Sequence, residues 1–244
     1  MIIASLEAND PEEAMGINTR VQLALAETVL RRRIRDFWML SGVTMTDPAS
    51  VYIDSGSELG QDSVILPNTH IIGKSSIGQE CEIGPNSIVS NSQVGDRCKI
   101  VASVVDGAIL ENDVTIGPFG RLRPDSYLEK GVHIGNFTEV TRSRLGAGSR
   151  SGHFSYIGDA EIGANVNIGA GTVTCNYDGI SKHTTRIEDE AFIGSGSMLV
   201  APVEVGSQAS TGAGTVVTSN IPPNHMAVGI PARSKPKRQV QRQD

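Results

Sequence analysis

Five histidines are the side chains best suited to moving a proton at neutral pH: His70, His133, His153, His183 and His225. Imidazole titrates near neutrality, so its free form can take a proton from an amine. One of the five has unusual company. Gly152-His-Phe-Ser-Tyr156-Ile-Gly-Asp159-Ala-Glu161 packs polar and titratable groups into a chain otherwise rich in Gly, Ile and Val. Arg121 and Arg123 flank Leu122, and a planar guanidinium fork suits a phosphate. A solvent-exposed ion pair explains that spacing equally well. A zinc enzyme fits poorly, since no two histidines stand five apart, and no metal ligands are assigned. Cys81, Cys98 and Cys175 are odd in number and share no ligand spacing. They read as reduced thiols of a cytoplasmic protein.

The elements that must hold these groups announce themselves by period. Aliphatic residues fall every sixth position at Ile187, Ile193, Leu199 and Val205, and earlier at Ile65, Ile71, Ile77, Ile83 and Val89. Six is neither the 3.6 of a helix nor the 2 of an ordinary strand. After a one-residue slip come Val94 and Ile100, then a register through Val104, Leu110, Ile116, Leu122, Leu128, Ile134 and Val140. Further slips lead to Leu145, Ile157, Ile162, Ile168 and Thr174. Each hexad makes one short strand and one tight corner, with the aliphatic inward and the following glycine permitting the bend. Three hexads close a triangular turn, so the expectation is an all-β parallel β-helix of on the order of nine or ten coils stacked about 4.8 Å apart. Arg121 and Arg123 then point outward. The pattern breaks once on a large scale: thirteen positions separate Thr174 from Ile187, so Cys175 to Arg186 must leave the prism as a loop.

Before the repeat, apolar positions at Val21, Leu25, Val29, Leu30, Ile34, Phe37 and Trp38 predict one α-helix, with Asn18 as its N-cap and a stop at Ser41-Gly42. Arg31, Arg32, Arg33 and Arg35 crowd that helix and read as a solvated face. After Ser219 the hexad gives way to Ile221-Pro-Pro and a polar tail bearing Lys235, Lys237, Arg238 and Arg242, which covers or leaves the open edge of the last coil. The expected division is 1–17, 18–48 for helix and turn, 49–220 for the β-helix and 221–244 for the tail. A net charge of −6 argues against nucleic-acid binding. No apolar run approaches the roughly 18 to 20 residues that span a bilayer, so no membrane partner is expected. A prism has no deep pocket, so ligands belong in grooves between copies, which favours an oligomer.

Several longer strings resemble one family. They are Gly117-Pro-Phe-Gly-Arg-Leu-Arg-Pro124, Gly135-Asn-Phe137, Arg144-Leu-Gly146, Gly152 to Gly163, Val166 to Gly179 and Leu199-Val-Ala-Pro202. Together they are similar to the bifunctional bacterial N-acetylglucosamine-1-phosphate uridyltransferase/glucosamine-1-phosphate acetyltransferases, over nearly the whole chain from Gly16 to about Val217. The resemblance implies a left-handed winding, a homotrimer and acetyl transfer from acetyl-CoA to the amine of glucosamine-1-phosphate, feeding UDP-N-acetylglucosamine synthesis. It implies His153 as general base, with Arg123, Thr141, Tyr156 and Asn167 around the sugar phosphate. Ala170, Asn176, Tyr177, Ser195 and Ala213 match acetyl-CoA contacts.

Gly16-Ile-Asn18 resembles the end of the uridyltransferase domain, where an Asn helps to hold Mg²⁺. The nucleotide loop and the metal-binding Asp are absent from these residues, so residues 1–17 read as a remnant, Mg²⁺ belongs only to the missing domain and no uridyl transfer is expected. Two positions depart from the family. Thr141 stands where a lysine is usual, with Arg142 next to it, and Arg142 can replace that cation only if the strand bulges. Ile230 stands where an arginine is usual, leaving Arg233 as its substitute. Thr141 keeps open a different amino-sugar phosphate as acceptor. A non-catalytic trimerisation β-helix is the other alternative.

Overall fold

The computed structural model describes residues 10–236. The expectations for the first nine residues and for Lys237, Arg238 and Arg242 lie outside the described residues. One helix, α1 (Arg20–Leu40), leads into a prism of three parallel sheets with 12, 10 and 9 strands. Each coil contributes one short strand to each sheet in turn. The first sheet begins at Thr44–Met45 and runs past residue 220 to His225–Val228, on which Arg233–Pro236 folds back antiparallel. The tail therefore supplies its own edge cover. A parallel sheet edge left bare would pair with other chains.

The hexad aliphatics form the core. Ile65, Ile71, Ile83, Ile100, Leu122, Leu128, Ile134, Leu145, Ile187, Ile193 and Leu199 have no more than 2% of their surface exposed. Each buried side chain of this size contributes roughly 1.5–3 kcal/mol. One register differs from expectation. Val105 is fully buried and Val104 is 38% exposed, because the chain slips twice, from Ile100 to Val105 and again to Leu110. A slip of one residue turns a strand over, and two adjacent valines gave the period no way to choose between them.

Corners are made differently from the expected way. In six-residue steps the third residue after the inward one takes positive φ, as at Asn68, Asn86, Asp113 and Asn165. In the five-residue steps it is the second: Asn91, Ala102, Gly107, Arg142 and Asp159. Asn and Asp tolerate this left-handed conformation better than other side chains. Most glycines that follow the inward residue serve coil stacking instead. A Cβ on Gly135 would lie 1.9 Å from the Gly152 carbonyl oxygen, and one on Gly60 would lie 2.4 Å from Gly78.

Helix α1 is capped by Thr19, not Asn18: Thr19 Oγ1 accepts from Gln22 N–H at 3.2 Å and Gln22 Oε1 accepts from Thr19 N–H at 2.9 Å. This reciprocal box satisfies two orphan donors, which a single cap does not. Arg32 and Arg33 are exposed and pair with Glu12 and Asp10, as a solvated face would. Arg31 lies over the Tyr52 ring at 4.2 Å and Arg35 donates to Pro48 O at 2.7 Å, so half of the cluster docks on the prism instead. Ile34, Trp38 and Met39 pack on the core, while Val21, Leu25, Phe37 and Leu40 stay exposed. Cys81 and Cys98 are buried in successive coils, donating to the carbonyls of Gly95 and Glu111 at 3.1 Å. No helix among the described residues is long and apolar enough to cross a membrane.

Candidate active site

Strand pairing turns sequence separation into position. Glu139, Tyr156 and Val173 lie side by side on the second sheet, each 17 residues from the next. The same spacing stacks Asn136, His153 and Ala170 at the vertex where the chain enters that sheet. It stacks Arg142, Asp159 and Asn176 at the corner where it leaves. Three coils thus make a small grid, with His153 at one edge, Tyr156 in the middle and Asp159 at the other.

At the entry vertex His153 is exposed and its carbonyl accepts from Thr138 Oγ1 at 2.9 Å. Above it the column continues through Ala170, Ser195 and Ala213, each two residues past the inward side chain of the first sheet. The next positions pass from Phe119, Phe137 and Phe154 to Gly171, Gly196 and Gly214. Phe119 and Phe137 stack at 5.3 Å, and all three phenylalanines are exposed. The N–H groups of Gly171, Gly196 and Gly214 bond to the carbonyls of Phe154, Ala170 and Ser195 at 2.6–2.8 Å. Those of Ala170, Ser195 and Ala213 have no acceptor among the described residues. The vertex above His153 is therefore a shallow track lined by available donors and nearly free of side chains.

Around the corner, on the first sheet, Asn167 pairs with Arg150, which pairs with His133. Burial, then Arg150, then His153 push the His133 imidazole below its usual range, and its Nδ1 lies 2.7 Å from Thr115 Oγ1. Neutral His133 is thus the form favoured beside His153.

At the exit corner Arg142 forms a two-pronged ion pair with Asp159, at 2.7 and 2.9 Å. Asp159 also accepts from Asn176 Nδ2. Arg142 Nη1 donates to Thr141 Oγ1 at 3.1 Å, and Thr141 is 1% exposed. The condition set for Arg142, a bulged strand, is not how it arrives. The shortened corner places it in the left-handed region at φ 45° and swings the guanidinium alongside the Thr141 hydroxyl. Its pair with Asp159 holds that carboxyl below its usual range, with Asn176 adding to the effect. Arg123 is half-buried on the neighbouring coil and donates to Glu139 Oε1 at 2.9 Å.

The inserted segment is an ordered turn. Asp178 Oδ1 accepts from Ile180 and Ser181 N–H at 2.7 Å, and Oδ2 lies 2.6 Å from His183 Nε2. Asn176 is buried at its root, whereas Tyr177 is 60% exposed and donates to Gly179 O at 2.6 Å. Within one chain, Asn176 joins Arg142 and Asp159, but the loop stands at the opposite edge of the sheet from Ala170, Ser195 and Ala213. Ile230 is 76% exposed near the top of the track, while Arg233 is exposed on the final strand, paired with Val228.

Sequence reasoning missed Gly158. A Cβ there would meet Tyr156 Oη at 2.6 Å and Asn176 Nδ2 at 2.8 Å, so only glycine lets the two converge. It noted Asp159 only as company for His153 and gave Asn136 no role; reading the chain at 17-residue offsets would have aligned them with Asn176 and His153. Among the described residues no group of three His, Cys, Asp or Glu side chains gathers as for a metal ion.

Two family models match the repeat: bacterial transferase hexapeptide (six repeats) over residues 56–91, and hexapeptide repeat of succinyl-transferase over residues 184–219. Both matched stretches carry the hexapeptide repeat that those transferase models describe. It is 48% identical over 227 residues to the bifunctional protein GlmU of Geobacillus sp. (strain WCH70), covering 93% of this chain and 50% of that protein. With the GlmU of Syntrophomonas wolfei it shares 49% over 217 residues, 89% of this chain and 48% of the relative. These matches bear out the resemblance read from the motifs, for the C-terminal acetyltransferase portion of that family. The chain spans about half the length of the curated relatives it matches.

Among solved structures, the Francisella novicida UDP-N-acetylglucosamine acyltransferase superposes with a TM-score of 0.55 at 16% identity, over 80% of this chain and 70% of that one. The Arabidopsis UDP-N-acetylglucosamine acyltransferase gives 0.51 at 17%, with the same coverage. At such identities the likeness concerns the fold, which is the expected left-handed parallel β-helix.

Proposed function

We propose that this hexapeptide-repeat chain moves the acetyl group of acetyl-CoA onto the amine of glucosamine-1-phosphate, the N-acetylated product serving UDP-N-acetylglucosamine synthesis in the cytoplasm. The observation that carries the reading is the vertex: an exposed imidazole, His153, directly below a column of free backbone N–H groups. In the proposed step His153 takes the amine proton as the nitrogen attacks the thioester carbonyl; the C–N bond forms, the C–S bond breaks and the thiolate leaves. Oxygen charge developing at that carbonyl needs donors already in place, and the Ala170 and Ser195 N–H groups are candidates of the right kind. The side-chain-poor track through Ser195 and Ala213 suits the extended part of acetyl-CoA, with Arg233 the nearest substitute for a phosphate-binding arginine at Ile230. Arg123, Tyr156 and Asn167 are assigned to the acceptor, with Thr141 buried behind Arg142 and not in contact with that ligand.

The assignment requires more than one copy. Asn176 and Tyr177 stand across a sheet from the donor track, so a loop from a neighbouring prism must reach it, as three-fold packing of triangular prisms allows. Uridyl transfer is not assigned to these residues. Thiol release from acetyl-CoA, measured with a panel of amino sugars, tests the proposal. Release with glucosamine-1-phosphate is expected, and release with no acceptor in the panel would leave a scaffold. Buried Thr141 supports a second reading, a different amino-sugar phosphate, which would show as a better acceptor in the same panel.

A further inference from the structure

Asp159 sits where the two halves of the proposed site meet. Its side chain is 16% exposed and holds Arg142 through Nε and Nη2. The same carboxylate accepts from Asn176 Nδ2. A guanidinium has five N–H donors. Two of Arg142's go to Asp159 and one to Thr141 Oγ1, which leaves at most one on each terminal nitrogen, with Tyr156 close enough to share one of them. Guanidinium N–H groups of this kind make charge-assisted bonds to phosphate oxygens. Asn176 in turn fixes the inserted loop, since its carbonyl accepts His183 N–H at 2.8 Å where the loop folds back.

Gly158 keeps the space between these groups open, with Tyr156 Oη and Asn176 Nδ2 both converging on it. The pair is self-sustaining. Arg142 and Asn176 keep Asp159 ionised, and Asp159 raises Arg142 further above neutrality. An ion pair fixed at both ends presents its remaining donors in one orientation, which cuts the ordering cost of binding.

We propose that Asp159 is a positioning residue shared by acceptor and donor: it orients Arg142 as an anchor for the acceptor phosphate and fastens the loop that carries Asn176. This rests on the acetyl-transfer reading above. Removing the carboxylate should therefore weaken both substrates, whereas removing either partner should weaken one.

Three variants of the full chain test this. Arg142→Gln should raise KM for glucosamine-1-phosphate roughly tenfold, as for loss of a charge-assisted hydrogen bond, and leave KM for acetyl-CoA unchanged. Asn176→Ala should do the reverse. Asp159→Asn should raise both. A rise in only one KM for Asp159→Asn, or a lowered thermal midpoint with both KM values intact, overturns the proposal. If Asp159→Asn does not fold, Asp159→Glu, which keeps the charge but displaces it, replaces it with the same double rise expected. Calorimetric titration with CoA and with glucosamine-1-phosphate separately gives the same pattern without turnover. A chain that binds both ligands and splits as described yet transfers nothing overturns the acetyltransferase reading and keeps this one. A chain that turns over without the shared loss does the opposite.

Discussion

The early coils, residues 51–110, and the late coils, residues 116–217, obey one rule and differ in their exceptions. Every inward position from Ile53 to Leu110 is aliphatic. In the late coils Ser151, Thr174 and Thr211 take inward positions, each no more than 2% exposed. Two of them intercept the ladder. In the early coils Gly60, Gly78 and Gly95 N–H groups bond to the carbonyls of Ile77, Val94 and Leu110. In the late coils Gly158 and Gly194 N–H groups bond instead to the hydroxyls of Thr174 and Thr211, at 2.8 Å. Gly158 is the residue against which Tyr156 and Asn176 converge. The late interior gives up apolar burial to grip the backbone beneath the site, and the early interior has no site to grip.

The widest gap between the two regions should appear in turnover. His153→Ala should lower kcat by about 10²- to 10⁴-fold, as for loss of a general base. His70→Ala in the early coils, where His70 stacks on Tyr52 at 4.4 Å, should leave it unchanged. Equal losses would erase the distinction, and an active His153→Ala would remove that residue from the chemistry.

Glycine stacking should make the regions alike. Gly60→Ala and Gly135→Ala both force a Cβ into the next coil and should each cost about 1–3 kcal/mol or more in denaturant unfolding. Gly152→Ala, with nothing within 4 Å, should cost far less. A stable Gly135→Ala would mean that the coils can part.

Thr174→Val should cost about 1–3 kcal/mol, because Gly158 N–H loses its buried acceptor. Ile71→Val in the matching early position should cost about 0.5–1.5 kcal/mol. Amide exchange at Gly158 should rise with the first change and not with the second.

The smallest effect concerns acid. The Asp178 carboxyl is held well below its usual range, first by Ser181 N–H, then by His183 and Ile180 N–H. A depressed folded value means that the stabilisation is present above the unfolded value, about 3.9, and is lost as pH falls through the folded one. Exchange protection of the loop amides should therefore hold at pH 5 and fade below roughly pH 4. Asp178→Asn should flatten that change, and the early coils, which carry no such insertion, should not show it.

Much of this was legible in the residue order. The hexad found the core and the three-walled prism, and the one long gap in it found the loop. What period could not resolve was a choice between neighbours: Val104 or Val105, Asn18 or Thr19. Side-chain bonds across coils were hidden for another reason. Arg142, Asp159 and Asn176 meet only because shortened corners keep three coils at 17 residues, a length visible once the inward residues are known. The stacking role of the glycines was equally hidden, because a clash between coils leaves no mark on local propensity.

The donor track has one further consequence. His153 and Ala213 are three rungs apart, about 14 Å at the spacing of paired strands. Inserting one 18-residue coil between Ser195 and Ala213 would lengthen that reach by about 5 Å and disturb no contact made within a coil. In such a molecule the length of a ligand is matched by counting turns, as on a ruler, and chemistry at one mark can be kept while the scale beyond it is extended.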